Sequence, residues 1–126
     1  MPKILIVDDD PTLRKIYSRF LTSEGFEVSQ ASSGEQALLG FRDQNFDVIL
    51  LDIRMPATNG LALMPALQHF HPDAKVLVTS CYNLDLQKEM IEDAAEYFNK
   101  TDGCLALLSK IKSIVSPLSG TTAKRC

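Results

Sequence analysis

Lys3-Ile4-Leu5-Ile6-Val7-Asp8-Asp9-Asp10 sets four large aliphatic residues in a row against three carboxylates in a row. An apolar run with no polar alternation is the pattern of a strand covered on both faces, as in a parallel sheet. Its abrupt acidic end matters as much as the run itself. A second stretch repeats the design: Val48-Ile49-Leu50-Leu51 stops in Asp52. Strands are thus expected at 3–7 and 47–51, with further short apolar runs at 26–29, 75–78 and 96–98. Each run is followed by a segment with helical spacing. Five strand–helix units in 126 residues predict an α/β domain with right-handed crossovers.

The helices carry their own punctuation. Asp10 can cap the first one, with Pro11 at the first helical position, where its missing N–H costs nothing. Leu13, Ile16, Tyr17, Phe20 and Leu21 then form one apolar stripe. Glu24-Gly25 ends it, Gly25 suiting a left-handed C-terminal cap. Ser33 followed by Gln36 reads as a capping box for a second helix that buries Ala37, Leu38 and Phe41. Asn59-Gly60 reads as a turn before a helix from Leu61 to Phe70. Pro65 lies inside that helix and predicts either a start near Met64 or a kink. A fourth helix is expected from about Leu84, carrying Leu86, Met90, Ile91 and Ala94. A fifth begins near Cys104, carries Leu107, Leu108, Ile111, Ile114 and Val115, and stops at Pro117. The expected organisation is a single domain over 1–118 and a short polar tail at 119–126, with no output domain after it.

Composition narrows the function. Thirteen Lys and Arg against sixteen Asp and Glu give a net charge of −3, and the pI is near 5.3. That balance removes most of the counterion-release drive toward nucleic acid, so direct nucleic-acid binding is not expected. No apolar run approaches the roughly 20 residues of a membrane span, so no membrane insertion is expected. Cys81, Cys104 and Cys126 are odd in number and lack metal or redox spacing, which suits a reduced, cytoplasmic setting. Cys104 is expected to be a small buried residue. His69 and His71 fall in a polar stretch and are expected to be solvated.

The chemistry is expected where the strands stop. Asp8 and Asp9 follow strand one, Asp52 ends strand three, Thr79-Ser80 end strand four, and strand five leads to Lys100. In a parallel sheet these ends share one edge, where α/β folds place ligands, and a switch point between strands one and three would gather Asp8, Asp9 and Asp52. Carboxylates about 4 Å apart repel by ~4 kcal/mol per pair at an effective dielectric near 20. Either one keeps a proton, or a divalent ion sits among them. An all-oxygen, partly hydrated site of this kind suits Mg²⁺, with Mn²⁺ as a substitute. Lys100 and the Thr79 hydroxyl could then receive an anion, of which phosphate is the natural candidate, with a carboxylate attacking phosphorus in line.

These stretches, with Leu50-Leu51-Asp52-Ile53-Arg54-Met55-Pro56, Asn59-Gly60, Val78-Thr79-Ser80 and Tyr97-Phe98-Asn99-Lys100, resemble the receiver domain of bacterial two-component response regulators. The resemblance covers 3–115. It implies a flavodoxin-like, doubly wound (βα)5 fold with five parallel strands in the order 2-1-3-4-5. It also implies phosphotransfer from a histidine kinase or phosphotransfer protein to an aspartate. By position Asp52 would be the phosphoacceptor, Asp9 a direct Mg²⁺ ligand, Asp8 a helper largely through water, and the Arg54 backbone carbonyl the last protein ligand. Thr79 and Lys100 would contact the phosphoryl group. Tyr97 would be the switch aromatic, turning inward as Thr79 moves, so that a protein-binding surface changes. The downstream protein stays unspecified, and a homodimer formed on phosphorylation stays open.

The sequence departs from the family in places. Thr101 stands where the family usually has a proline after a cis bond. Since cis costs about 2.5–4 kcal/mol without proline, a trans Lys100–Thr101 bond is expected, with a shifted loop that could withdraw Lys100 from Asp52. Asp93 replaces a customary glycine. Arg54 and Cys81 offer no carboxylate or amide to orient water, which predicts a slowly decaying phosphoryl group. Two other readings compete: a degenerate receiver acting only as a protein-binding module, and a haloacid-dehalogenase-type phosphatase with Asp8 as nucleophile and Asp10 as general acid. The phosphatase needs a further acidic pair after the lysine, where only Asp102 is available, and gives Asp52 no role.

Overall fold

The strands form one five-stranded sheet of order β2-β1-β3-β4-β5, all neighbours parallel. The structure, a computed structural model, describes residues 2–52, 60–80 and 94–115, with the backbone alone for 60–63. The strands are β1 (Lys3–Val7), β2 (Glu27–Ala31), β3 (Val48–Asp52), β4 (Lys75–Ser80) and β5 (Glu96–Asn99). The described helices are α1 (Pro11–Ser23), α2 (Gly34–Phe41), α3 (Gly60–Phe70) and α4 (Cys104–Val115). This is the doubly wound, flavodoxin-like arrangement expected from the sequence. The helix expected from about Leu84, the Asn59 half of the turn, Pro117 and the polar tail lie outside the described residues.

Period-two alternation splits the strand side chains between two cores. Leu5, Val7, Ile49, Leu51, Val76, Val78 and Tyr97 face one side with Ala37, Met64 and Leu67. Ile4, Ile6, Val48, Leu50, Leu77 and Phe98 face the other with Tyr17, Leu21, Leu107 and Ile111. Burial on both faces is why β1 and β3 read as unbroken apolar runs.

Helix α1 begins and ends as its sequence dictates. Asp10 accepts from the N–H groups of Thr12 (2.9 Å) and Leu13 (3.2 Å), and Pro11 opens the helix. At the other end Phe26 N–H reaches Leu21 O and Gly25 N–H reaches Thr22 O, both at 3.1 Å, with Gly25 at φ 97°. That is a Schellman closure, which favours glycine at the left-handed position. Of the expected stripe, Tyr17 and Leu21 are buried, whereas Ile16 is exposed. At α2 Ser33 Oγ accepts Gln36 N–H, and the reciprocal contact from Gln36 Oε1 goes to Ser32 N–H, one residue earlier than in a standard capping box.

Four local expectations are corrected. Helix α3 starts at Gly60 and runs on through Pro65, so it does not start near Met64. The proline forgoes one bond to the carbonyl four residues back, and the helix tolerates that loss. Strand β2 is set one to two residues later than expected, pairing Lys3 with Glu27 through Val7 with Ala31, while Phe26 packs in the core ahead of it. His69 is exposed, but His71 is buried, because the turn after α3 folds its ring edge-on against Phe46. Cys104 is half-buried at the start of α4.

Candidate functional site

The parallel register brings the polar strand ends to one edge. Val7 pairs with Leu51, Asp52 with Thr79, and Ser80 with Asn99. Asp8 therefore emerges beside Asp52, Thr79 stands level with Asp52, and Lys100 follows one residue beyond the end of β5. One carboxylate oxygen each from Asp8, Asp9 and Asp52 lies within 4.8 Å of the others. Asp8 and Asp52 are buried, whereas Asp9 is exposed at the rim.

Asp8 is held at every polar group. Its N–H donates to Ala31 O (3.1 Å), and its carbonyl accepts Arg14 Nη1 (2.7 Å). Its carboxylate accepts Asp10 N–H (2.9 Å) through Oδ1 and Lys100 Nζ (2.8 Å) through Oδ2. The same ammonium lies 3.1 Å from Asp52 Oδ2. One cation is shared by two buried acids. Burial pushes the Asp8 carboxyl above its ordinary range, and the Lys100 and Asp10 contacts only partly oppose this. Burial alone would lower Lys100, but two carboxylates beside it outweigh that and hold the ammonium above its ordinary value.

A buried, oxygen-only donor set with one exposed member is chemically suited to a hard divalent cation. Asp8 and Asp52 are fixed, and Asp9 leaves an open side. The acidic cluster with Lys100 was legible in the sequence, and Thr79 falls on the same edge. Arg54 and Cys81 lie outside the described residues. Tyr97 is not part of the cluster: it stands inward, 7% exposed, in the apolar layer with Val76 and Val78.

The Lys100–Thr101 bond is trans, as expected, since no cis bond occurs among the described residues. The accompanying expectation is overturned, because Lys100 is not withdrawn from Asp52. A 3-10 turn over Lys100–Asp102 brings the backbone round, and Asn99 caps it by accepting Thr101 N–H (2.9 Å). Two residues that shape the site were missed in the sequence, Arg14 and Asn99. Asn99 carried a readable signal, an Asx residue two positions before a hydroxyl residue at a strand end. Arg14 carried none, since its target is a main-chain carbonyl. Asp10, the general acid of the phosphatase reading, has its carboxylate committed to the start of α1.

Known proteins resemble this chain in sequence and in fold. The family model described as response regulator receiver domain matches residues 4–112. The transcriptional regulatory protein CpxR of Escherichia coli K12 is 35% identical over 116 residues, covering 91% of this chain and 50% of CpxR. The chain thus spans about half the length of the curated relatives it matches. The response regulator TrrA of Thermotoga maritima, solved in complex with Mg²⁺-BeF, superposes with a TM-score of 0.80 at 33% identity, covering 90% of this chain and 99% of that one. TrrA in complex with the histidine kinase ThkA gives 0.81 at 34% identity, covering 92% and 100%.

Proposed function

This chain belongs to the response regulator receiver domain family, the phosphoacceptors of two-component systems, and from that premise we propose that Asp52 takes a phosphoryl group from the phosphohistidine of a histidine kinase or phosphotransfer protein. The observation that carries the assignment is the position of Asp52: buried at the end of β3, level with Thr79, and 3.1 Å from the Lys100 ammonium. An Asp52 oxygen attacks phosphorus in line. The new O–P bond makes a mixed anhydride as the P–N bond breaks, and the imidazole leaves with the electron pair and takes up a proton. Lys100 exchanges its contact with Asp52 for a phosphoryl oxygen, so the charge developing there meets a cation that is already dry and positioned. Thr79 donates its hydroxyl to a second oxygen, and Tyr97, buried beside β4, carries the change toward the surface.

Asp8, Asp9, Asp52 and the Arg54 carbonyl would hold Mg²⁺, with Mn²⁺ able to substitute, and the bound ion would supply charge neutralisation for the phosphoryl oxygens. CpxR is a transcriptional regulator, but the segment shared with it is about half its length. For this domain we read the downstream partner as a protein, on the strength of the −3 net charge. A homodimer formed on phosphorylation is compatible with that reading. Among the described residues no helix is long and apolar enough to cross a membrane. A cytoplasmic location belongs to the same proposal and rests on the odd number and the spacing of the cysteines.

Intact mass after incubation with Mg²⁺ and acetyl phosphate tests the assignment. A gain of one phosphoryl group that disappears in Asp52→Asn supports it. No gain in the parent protein would favour a degenerate binding module, and a gain that survives Asp52→Asn would move the chemistry elsewhere.

A further inference from the structure

Lys100 does its work at the end of a long, flexible side chain that grows from an exposed turn. Its four-carbon stem has many rotamers to lose when the ammonium is held in one place. Its side chain is nonetheless only 7% exposed and touches two carboxylates at once, 2.8 Å and 3.1 Å away. Thr101, Asp102 and Gly103, the residues after it, are all exposed. Packing on the turn itself therefore does not explain why the lysine is aimed so narrowly.

Asn99 supplies the constraint. Its backbone belongs to β5, opposite Ser80, in extended conformation. Its side chain reaches past Lys100: Oδ1 accepts both Thr101 N–H (2.9 Å) and Thr101 Oγ1–H (2.7 Å). The residue before Lys100 thus grips the residue after it, and the Lys100 backbone is bracketed within three positions. The fixed end of the bracket is the sheet itself, the same sheet whose β3 carries Asp52.

We propose that Asn99 and Thr101 are a positioning pair that fixes the Lys100 backbone so that its ammonium spans Asp8 and Asp52. Neither residue touches the reacting atoms; both act through Lys100. The effect on phosphotransfer rests on the reading of Asp52 given above, but the aiming of Lys100 does not.

The test uses the full chain as Asn99→Ala, Asn99→Asp and Thr101→Val, with two readouts. Acetylation of Lys100 by acetic anhydride, read by peptide mass against Lys110 in the same molecule, reports its release from the carboxylates. The initial rate of phosphorylation by acetyl phosphate reports its use. Loss of two hydrogen bonds predicts about tenfold faster Lys100 acetylation and about tenfold slower phosphorylation in Asn99→Ala. Asn99→Asp, which keeps the acceptor, should return both to near the parent values. Thr101→Val, which keeps the N–H and loses the hydroxyl, should fall between. The proposal is overturned if Asn99→Ala leaves Lys100 as protected as in the parent, if Asn99→Asp is as exposed as Asn99→Ala, or if Lys110 reactivity rises in equal measure. A parent protein that takes no phosphoryl group would defeat the functional reading, while the acetylation ratios would still decide the positioning role.

Discussion

The Lys100 ammonium sits closer to Asp8, at 2.8 Å, than to the proposed phosphoacceptor Asp52, at 3.1 Å, and both acids are buried. The lysine is therefore the internal counterion of the acidic cluster as well as a ligand for an incoming anion. Lys100→Met keeps the apolar stem and removes the charge, leaving Asp8 and Asp52 without it. Breaking a buried pair from one side costs about 3–5 kcal/mol, and urea unfolding at neutral pH should show a loss of that order. The pH dependence has a definite sign. Asp8 is already raised above 3.8 by burial, and without Lys100 it rises further. The native state then holds a proton more tightly than the unfolded chain, so the variant gains stability as pH falls through the native carboxyl pKa. In the parent, the Lys100 contribution is complete below 10.5 and lost as pH climbs through its raised native value. A variant as stable as the parent at pH 7 would show that Lys100 is not the cluster's counterion.

Asp10 separates a structural role from a chemical one. Its carboxylate accepts the N–H groups of Thr12 and Leu13 at the start of α1. Asp10→Ala should cost about 1 kcal/mol, the usual loss for an N-cap, seen as a lower urea midpoint. Phosphorylation of Asp52 by acetyl phosphate should proceed at nearly the parent rate. If Asp10 were a general acid, turnover of a phosphomonoester would be present in the parent and collapse in this variant.

How much of this could be read from the chain depends on the distance over which each signal acts. Ile4–Val7 and Val48–Leu51 declare a doubly covered sheet because burial on both faces leaves no room for polar residues. Asp8, Asp9, Asp52 and Lys100 could be placed at one edge because parallel strands put all their ends together. Asp10 and Gly25 are visible because capping is local chemistry. His71 reads as solvated because Pro72 and Asp73 beside it mark a turn; its burial comes from Phe46, 25 positions earlier and brought near only by the sheet. Pro65 reads as a breaker because propensity does not register the packing of Met64 and Leu67, which favours a continuous α3. Withdrawal of Lys100 is the natural expectation because the loss of proline at Thr101 is visible in the chain, whereas the Asn99 contact forms only once the 3-10 turn has folded.

Arg14 bears on the metal-binding half of the proposal. Its guanidinium donates to the Asp8 carbonyl at 2.7 Å and so helps fix the backbone from which one carboxylate projects. Outer partners of this kind typically change metal affinity by about tenfold when removed. Titration calorimetry with Mg²⁺ should therefore show roughly tenfold weaker binding for Arg14→Ala, with Arg14→Lys recovering only part, since a point charge lacks the planar donor geometry. Equal affinities in the parent and Arg14→Ala would restrict Arg14 to a structural contact.

At the opposite edge of the sheet, His71 gives the fold an acid-sensitive element remote from the phosphoacceptor. Its ring is 5% exposed and meets Phe46 edge-on at 5.6 Å, and Nε2 has no hydrogen-bond partner among the described residues. Burial lowers its pKa below 6.5, and a hydrogen bond with the Gln44 backbone only partly opposes this. The unfolded chain therefore binds the proton more readily than the native one. This contribution to stability is complete above pH 6.5 and drains away as pH falls below it. His71→Phe removes the titrating group while keeping an aromatic ring against Phe46. Urea midpoints measured from pH 7.5 to 5 should fall more steeply in the parent than in the variant, the two curves converging or crossing on the acid side. Taking the difference between them cancels the opposite, Asp8-driven trend common to both proteins. Parallel curves would mean that His71 protonates as easily in the native protein as in the unfolded chain.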